Sequence, residues 1–373
     1  MKKACLIVGT RPELIKMAPV AFALKQRGIP YMILNTAQHT DLLAPYWDVF
    51  GLVPDHTLSV MQTGQSLAQL TARALVQLQE FYTEHRDISC ILGQGDTTTV
   101  LCASMTAFYQ RIPFMHVEAG LRSYDFDNPF PEEYNRRVAA IWCSHHFAPT
   151  ERAKKSLLSE GVAESSIHVT GNTIVDAMHY ILEKESSRNG QFSSQPLQQK
   201  VAEGKKMVLI TCHRRENHGS KLSCILDAIG HLADRHKEMN FIWLLHPNPN
   251  VKDVLMKSEL RAKANVLLHE PLDYFDLLKL MRISSVIVTD SGGVQEEAPS
   301  FGKPVVVMRE VTERPEGIEA GLAVLADADP QKIINGFDWA LNWKGEKISN
   351  PYGDGKAANR IAEVIATYYN NGK

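Results

Sequence analysis

Ala4-Cys5-Leu6-Ile7-Val8-Gly9-Thr10-Arg11-Pro12-Glu13 and, far downstream, Ser285-Val286-Ile287-Val288-Thr289-Asp290-Ser291-Gly292-Gly293 repeat one pattern: an apolar run entering a glycine turn that opens a helix. Each turn offers backbone N–H groups and the positive end of a helix dipole at the carboxyl edge of a buried strand, where an anion such as phosphate can sit. Two such turns in one chain predict two sheets that address one ligand.

Outward from these stretches, short apolar runs alternate with helical patterns: Tyr31 to Leu34, Ser89 to Leu92, Pro113 to Val117, Ile167 to Val169, Met207 to Thr211, Phe241 to Leu245, Val266 to His269 and Pro304 to Met308. That alternation is the sequence form of parallel βαβ units. A length of 373 residues favours two domains, and 44% apolar residues suffice for two packed cores. The least patterned stretch, roughly 185–204, is rich in Ser, Gln, Lys and Glu, and the domain change is expected shortly before or within it. A surface insertion there is the plain alternative. The turn Asn350-Pro351-Tyr352-Gly353-Asp354-Gly355 redirects the chain into a closing helix over about Lys356 to Tyr369.

Composition narrows the function classes. Forty Lys+Arg against 42 Asp+Glu leave a formal charge of −2, and no basic block suits a nucleic acid or a membrane surface. The six cysteines show no C-x-x-C pair, which predicts a reduced, cytosolic chain. Met1-Lys2-Lys3 resembles a signal n-region, but Thr10-Arg11-Pro12-Glu13 breaks the apolar run that follows, and no later run reaches membrane-spanning length.

Charged residues gather where strands should end. Pro12 suits the first helical position, and Arg11 and Lys16 can reach an anion there, although ordinary punctuation with two solvated cations explains the segment equally well. In Gly93-Gln94-Gly95-Asp96-Thr97, Asp96 follows a strand and could simply cap a helix. The next strand delivers His116 and Glu118, so two carboxylates stand past neighbouring strands, as a catalytic crevice would have them. Pro129-Phe130-Pro131-Glu132-Glu133 reads as a rigid loop entering a helix at Pro131; its acids suit the dipole, and the prolines would also fix the aim of Glu132.

Cys212-His213-Arg214-Arg215-Glu216-Asn217 is a further strand end loaded with anion-binding groups. Zinc is a rival reading of His213 and His218, but no partner ligands sit at metal spacing. His246 is expected to bond backbone. Asp290 to Pro299 joins a phosphate turn to an acidic helix, in which Glu296 or Glu297 could hold ribose hydroxyls, and Thr312 to Gly317 adds Arg314.

Gly9 to Glu13 with Lys16, Gly95 to Thr99, His116 to Arg122, Pro131-Glu132-Glu133, His213 to Asn217, Asp290 to Pro299, Thr312 to Gly317 and Asn350 to Gly355 together resemble, in order and over essentially the whole chain, the bacterial non-hydrolysing UDP-N-acetylglucosamine 2-epimerases. The resemblance implies an α/β protein of two Rossmann-like domains in the GT-B architecture, with the active site in the interdomain cleft. It places the first domain at 1–172, the UDP-binding domain at 173–355 and a helix crossing back at 356–373. It implies catalytic roles for Asp96, Glu118, Glu132 and His213, and nucleotide-sugar binding by Arg11, Lys16, Arg214, Ser291, Gly292, Gly293, Glu297 and Arg314. It implies a cytoplasmic homodimer that needs neither metal nor cofactor and supplies surface polysaccharide.

Departures from the family pattern are local. Gln38 and His39 match part of a segment that binds a second, activating substrate molecule in some relatives, while Thr40 and Asp41 replace its usual next residues. Leu277 stands where a Phe is common, Gln94 and Cys212 replace commoner neighbours of Asp96 and His213, and Tyr124 to Asn128 alter the loop over the sugar. These leave room for a UDP-diacetamido sugar or for a hydrolysing enzyme that releases N-acetylmannosamine. A glycosyltransferase would need an acceptor besides the nucleotide sugar. A nucleotide-sugar sensor is the non-enzyme reading, against which stands the retention of Asp96, Glu118, Glu132 and His213 together.

Overall fold

A computed structural model describes residues 2–39, 43–185, 191–246, 248–345 and 349–370. The chain divides into two compact units, Met1–Ala177 with Tyr352–Lys373, and Met178–Pro351. In chain order the first runs β1 (Lys3–Val8), α1 (Arg11–Gln26), β2 (Tyr31–Asn35), α2 (Ala44–Phe50), β3 (His56–Thr57), α3 (Leu67–Glu84), β4 (Ile88–Gln94), α4 (Thr98–Gln110), β5 (Phe114–Val117), α5 (Glu132–Ile141), β6 (His145–Ala148), α6 (Glu151–Ser159) and β7 (Ile167–Val169), and α7 (Thr173–Glu185) spans the division at Ala177. The second begins with α8 (Gln195–Ala202), β8 (Lys206–Thr211), α9 (Ser220–Arg235), β9 (Met239–Leu244), α10 (Pro249–Lys257), β10 (Val266–His269) and α11 (Tyr274–Ile283). It continues with β11 (Ser284–Thr289), α12 (Gly292–Glu297), β12 (Val305–Val307), α13 (Glu316–Glu319), β13 (Ala323–Leu325) and α14 (Pro330–Asn342); α15 (Ala357–Asn370), which belongs to the first unit, ends the described chain.

Both sheets are parallel. Their strand orders are 3-2-1-4-5-6-7 and 10-9-8-11-12-13. Each order reverses next to its first strand in sequence, between β1 and β4 in one and between β8 and β11 in the other. Each unit is therefore a doubly wound, Rossmann-like α/β domain of the kind GT-B proteins combine. In such sheets ligands bind outside the carboxyl ends of the strands at the reversal, which directs attention to the residues after Val8, Gln94, Thr211 and Thr289.

Alternation along β1 shows why its unbroken apolar run is a strand. Ala4, Leu6 and Val8 pack with Met17, Val20, Ala21 and Leu24 of α1 and with Ala358, Ile361, Ala362 and Ile365 of α15. Cys5 and Ile7 face the other way, toward Leu70, Ala74, Leu78 and Phe81 of α3 and Val100, Cys102, Ala103 and Ala107 of α4. Each such Val, Leu or Ile side chain contributes about 1.5–3 kcal/mol by leaving water. Asp176 caps α15, accepting from Ala357 N at 3.2 Å and Ala358 N at 2.9 Å.

Three differences from the sequence reading have physical causes. The stretch read as unpatterned contains α8, whose Ser194 caps Leu197 N; Leu197 is the only residue of that helix that is buried, so no period is visible. β6, absent from the sequence reading, buries His146 by bonding: its Nε2 meets Ala140 O at 3.2 Å. The edge strands β3 and β13 are two and three residues long, too short to show alternation.

Candidate active site

At the end of β1, Gly9 turns into α1 with Thr10 as the N-cap. Glu13 folds back over the turn, and its Oε2 accepts from Gly9 N and Thr10 N, each at 2.7 Å. Its Oε1 accepts from the Thr97 hydroxyl at 2.5 Å. These are the N–H groups expected to receive an anion, so that expectation is corrected: the chain's own carboxylate occupies them. Thr-x-x-Glu is the capping-box spacing, a signal present in the sequence. Pro12 takes the second helical position rather than the first. Burial pushes the Glu13 carboxyl up to about 7, against the lowering effect of its hydrogen bonds.

Arg11 lies over the Tyr46 ring, 5.8 Å from its centre. Gln38 and His39 pack on the same turn. Gln38 Oε1 accepts from Thr99 Oγ1 at 2.8 Å and Thr99 N at 3.2 Å, and His39 N donates to Gly9 O at 2.7 Å. Thr40, Asp41 and Leu42, which complete the candidate activator segment, lie outside the described residues.

The ends of β4 and β5 are tied together. Gly95 N donates to Val117 O at 3.0 Å, and His116 Nε2 meets Gly95 O at 2.6 Å. Thr97, not Asp96, caps α4, accepting from Val100 N at 3.3 Å. The Asp96 carboxylate instead receives Arg136 Nη2, while Asn135 Nδ2 donates to Asp96 O at 2.9 Å. One residue past β5, Glu118 adopts φ 65°, a left-handed conformation that costs a non-glycine residue roughly 1–3 kcal/mol and clusters at functional sites. Its Oε2 receives Lys16 Nζ and, at 3.0 Å, Asn172 Nδ2. Lys16, expected on the nucleotide sugar, thus meets one of the expected catalytic carboxylates. Gly120 has φ 92°, and a Cβ on it would stand 2.3 Å from Ala153 O, so the turn leaving Glu118 requires glycine.

The two acids opening α5 differ. Glu133 is fully buried, accepts from Ser123 N at 3.0 Å and Tyr124 N at 3.2 Å, and pairs with Arg136 at 3.3 Å, so it pins the neighbouring loop. Glu132 is half-buried at the first helical position after Pro131, which is the N-cap rather than the helix's first residue.

His116 supplies a pH prediction. Burial pushes its imidazole down to about 4 from 6.5, against the raising effect of its bond to Gly95 O. A depressed histidine gives stability that is complete above its unfolded pKa and lost as pH falls toward the folded one. Between pH 6.5 and 4 the protein should therefore lose about 3 kcal/mol from this group. Urea melts of wild type and His116→Asn should converge as pH falls from 7.5 to 4.5; a constant gap would exclude this origin.

In the second unit, β8 ends at Thr211 beside Thr289 of β11, their hydroxyls 2.5 Å apart. Asp290, fully buried, accepts from His213 N at 2.9 Å, Arg214 N at 2.9 Å and Asn217 Nδ2 at 3.0 Å, and its Oδ1 lies 3.1 Å from His213 Nδ1. Burial alone would raise this carboxyl; the bond and charge of His213, the Arg214 N–H and Asn217 outweigh it and hold the group well below the usual carboxylate range. His213 thus has a fixed ring, one third exposed and stacked on His246 with centres 5.5 Å apart. His246 Nδ1 accepts from Asn248 N at 3.2 Å, the backbone bond expected of it. Burial pushes the Cys212 thiol well up, so it is no thiolate nucleophile beside His213.

The second glycine turn keeps its donors open. Gly292 N and Gly293 N have no hydrogen-bond partner among the described residues, and Ser291 N donates to Thr289 Oγ1 at 2.9 Å. The Arg314 guanidinium lies against Gly292, where a Cβ would come within 2.6 Å of it. Glu296 holds Arg314 Nε at 2.7 Å, and Glu313 bridges Arg314 at 3.3 Å and Arg309 at 2.8 Å. Glu297 instead accepts from the buried Tyr274 hydroxyl at 2.5 Å, which separates the two neighbouring acids that spacing could not. Arg214, beyond its N–H bond to Asp290, is half-buried.

Sequence reasoning missed Glu13, Arg136, Asn172, Tyr274 and the role of Asp290. Only Glu13 carried a local signal; the others act through distant partners.

A family model described as UDP-N-acetylglucosamine 2-epimerase matches residues 23–366. The chain is 41% identical over 376 residues to the UDP-N-acetylglucosamine 2-epimerase of Escherichia coli K12, covering 97% of this chain and 98% of that one. Among solved structures, a Neisseria meningitidis UDP-GlcNAc 2-epimerase bound to UDP-GlcNAc aligns with a TM-score of 0.89 at 40% identity, covering 98% of this chain and all of that one. A Methanocaldococcus jannaschii UDP-GlcNAc 2-epimerase in complex with UDP-GlcNAc and UDP aligns at 0.87 and 32% identity, covering 98% and 99%.

Proposed function

This chain belongs to the UDP-N-acetylglucosamine 2-epimerase family, and from that premise we propose that it interconverts UDP-N-acetylglucosamine and UDP-N-acetylmannosamine by anti elimination of UDP and its re-addition to 2-acetamidoglucal. The observation that carries this reading is the pair of carboxylates, Asp96 and Glu118, after the neighbouring strands β4 and β5, each held by a cation, Arg136 or Lys16.

The C2 hydrogen is not next to a carbonyl, so simple deprotonation is hard. As UDP departs from C1, positive charge builds on the sugar and the C2 proton becomes acidic. The proton passes to a carboxylate, the C2–H pair becomes the C1=C2 bond, and the C1–O pair leaves with UDP. Returning a proton to the opposite face of C2 while UDP re-forms the C1–O bond inverts that centre. In this reading Asp96, Glu118 and Glu132 stabilise the cationic sugar and move the proton, and His213, held by Asp290, serves the leaving group. Arg214 and Arg314 with the N–H groups of Gly292 and Gly293 hold the diphosphate, Ser291 and Glu297 hold the nucleoside side, and Arg11 and Lys16 are binding residues for the nucleotide sugar. A helix dipole is worth about 1 kcal/mol, whereas enzymes remove 8 kcal/mol or more from a barrier, so positioned charges and proton carriers must do most of the work. We place this enzyme in the cytoplasm as a homodimer without cofactor, supplying surface-polysaccharide synthesis.

The test is NMR of the protein with UDP-N-acetylglucosamine alone in D2O. Deuterium at C2 with the manno epimer appearing is the expected result. Accumulation of free N-acetylmannosamine would make the enzyme a hydrolysing one. Absence of any exchange would turn attention to diacetamido sugars and then to a nucleotide-sugar sensor.

A further inference from the structure

We infer that Glu13 is a positioning residue for the carboxylate chemistry of the first unit: its buried side chain clasps the turn after β1 to the start of α4 and so sets where Asp96 stands. This rests on the epimerase reading above.

Capping alone would use one carboxylate oxygen on one or two local N–H groups. Glu13 uses both oxygens, and the second crosses 84 residues of sequence to the Thr97 hydroxyl. Thr97 directly follows Asp96, so the clasp acts on the peptide that carries the expected catalytic carboxylate. The same hydroxyl accepts from Val100 N, which joins the clasp to the first turn of α4. Gln38 and Thr36 also hold α4, but both bond Thr99, two residues further on. Gly9 itself is closely packed against α4, since a Cβ there would stand 2.1 Å from Thr36 Oγ1 and 2.5 Å from Thr99 Oγ1.

Either protonation state serves the clasp. Ionised, the carboxylate accepts all three bonds; protonated on Oε1, it donates to Thr97 and still accepts from Gly9 and Thr10. Burial pushes this carboxyl up to about 7, so both states are accessible near neutrality. A glutamine reproduces the protonated form, its oxygen accepting the two N–H groups and its amide donating to Thr97. Carboxylate charge is therefore dispensable, while the clasp is not.

The experiment compares Glu13→Ala, Glu13→Gln, Thr97→Val and the Glu13→Ala/Thr97→Val double variant, by kcat and KM on UDP-N-acetylglucosamine and by amide hydrogen exchange. Misplacing a reacting group by about 1 Å costs up to about a hundredfold in rate. Glu13→Ala should lower kcat about 10- to 100-fold with KM within about threefold, Glu13→Gln should stay within about threefold of wild type, and the double variant should fall no further than Glu13→Ala. Exchange should quicken at Gly9, Thr10 and the first turn of α4. Equal losses in the Gln and Ala variants, multiplying losses in the double variant, or an unchanged kcat in folded Glu13→Ala would each overturn the inference. If Glu13→Ala does not fold, Thr97→Val carries the same kcat comparison. Wild-type protein that fails to epimerise would sink the functional reading instead, and exchange alone then decides the clasp: unchanged protection in Glu13→Ala overturns it.

Discussion

Glu118→Gln is expected to lower kcat about 10²- to 10⁴-fold, the range over which a positioned acid or base acts. Glutamine keeps the size of the side chain, and its oxygen can accept from Lys16 and Asn172 where the carboxylate does now. The fold should therefore hold. On the proposed mechanism, what disappears is a proton acceptor and a negative charge for a sugar that turns cationic as UDP leaves. Because that charge difference exists only on the way to the transition state, kcat should fall with KM little changed. Backbone geometry strengthens the expectation: the protein maintains a non-glycine residue at φ 65° here, at a cost of roughly 1–3 kcal/mol, where glycine would be unstrained. Such a cost persists where the side chain serves something other than stability. The measurement is the rate of C2 deuterium incorporation in a single turnover. A variant within threefold of wild type would remove Glu118 from the proton-transfer machinery.

The strand skeleton was legible in the sequence because doubly wound sheets are covered on both faces, so their inner strands are continuous apolar runs. β1, β8 and β11 are of this kind. The strands that escaped notice were those whose burial is achieved through bonding rather than hydrophobicity, as with His146 of β6, or those too short to alternate. Site residues followed the same division. Asp96, Glu118 and His213 could be singled out as candidates because the carboxyl edge of a parallel sheet is where ligands bind, whatever the ligand. Their partners could not. Arg136 reaches Asp96 across 40 positions, Asn172 reaches Glu118 across 54 and Asp290 reaches His213 across 77, and no local period encodes such pairs. The turn after β1 misled for a different reason. Its glycine and helix start do offer N–H donors, and the carboxyl of Glu13, four residues on, fills them.

That contrast bears on how the two glycine turns divide the work. The first is filled from within and becomes structural support for Asp96, whereas the second leaves Gly292 and Gly293 with donors to offer and places the Arg314 guanidinium beside them. Arg314 does not stand there as a loose charge. Glu296 and Glu313 fix it, and Glu313 shares itself with Arg309, itself paired with Glu216 at 2.8 Å. In the proposed role, a buried guanidinium held in one orientation would meet a diphosphate without first losing conformational freedom, which is how preorganised charge contributes more than the same charge on a mobile side chain.

Asp290→Asn is the other substitution expected to cost about 10²- to 10⁴-fold in kcat, and it should act through His213. The carboxylate accepts from two backbone N–H groups, the Asn217 amide and the imidazole Nδ1. An asparagine has one accepting oxygen and must aim an NH2 at donors, so either the loop from His213 to Asn217 shifts or the imidazole turns over to its other tautomer. An Asp-to-Asn change behind a catalytic histidine is known to disable it by that second route while leaving the geometry intact. Stability should change as well, since leaving a buried hydrogen-bonding group without its partner costs about 1–3 kcal/mol. The pH dependence identifies the source. A carboxyl held below its unfolded pKa of 3.8 gives stability present above that value and lost as pH falls through the folded one, so wild type and variant should differ at pH 7 and converge in acid. Destabilisation alone cannot explain the catalytic loss if the variant is folded under assay, and a second background separates the two effects. In His213→Ala protein, which already lacks the imidazole, Asp290→Asn should lower kcat no further than about threefold. A full loss in that background would mean that Asp290 acts on the reaction by a route that does not pass through His213.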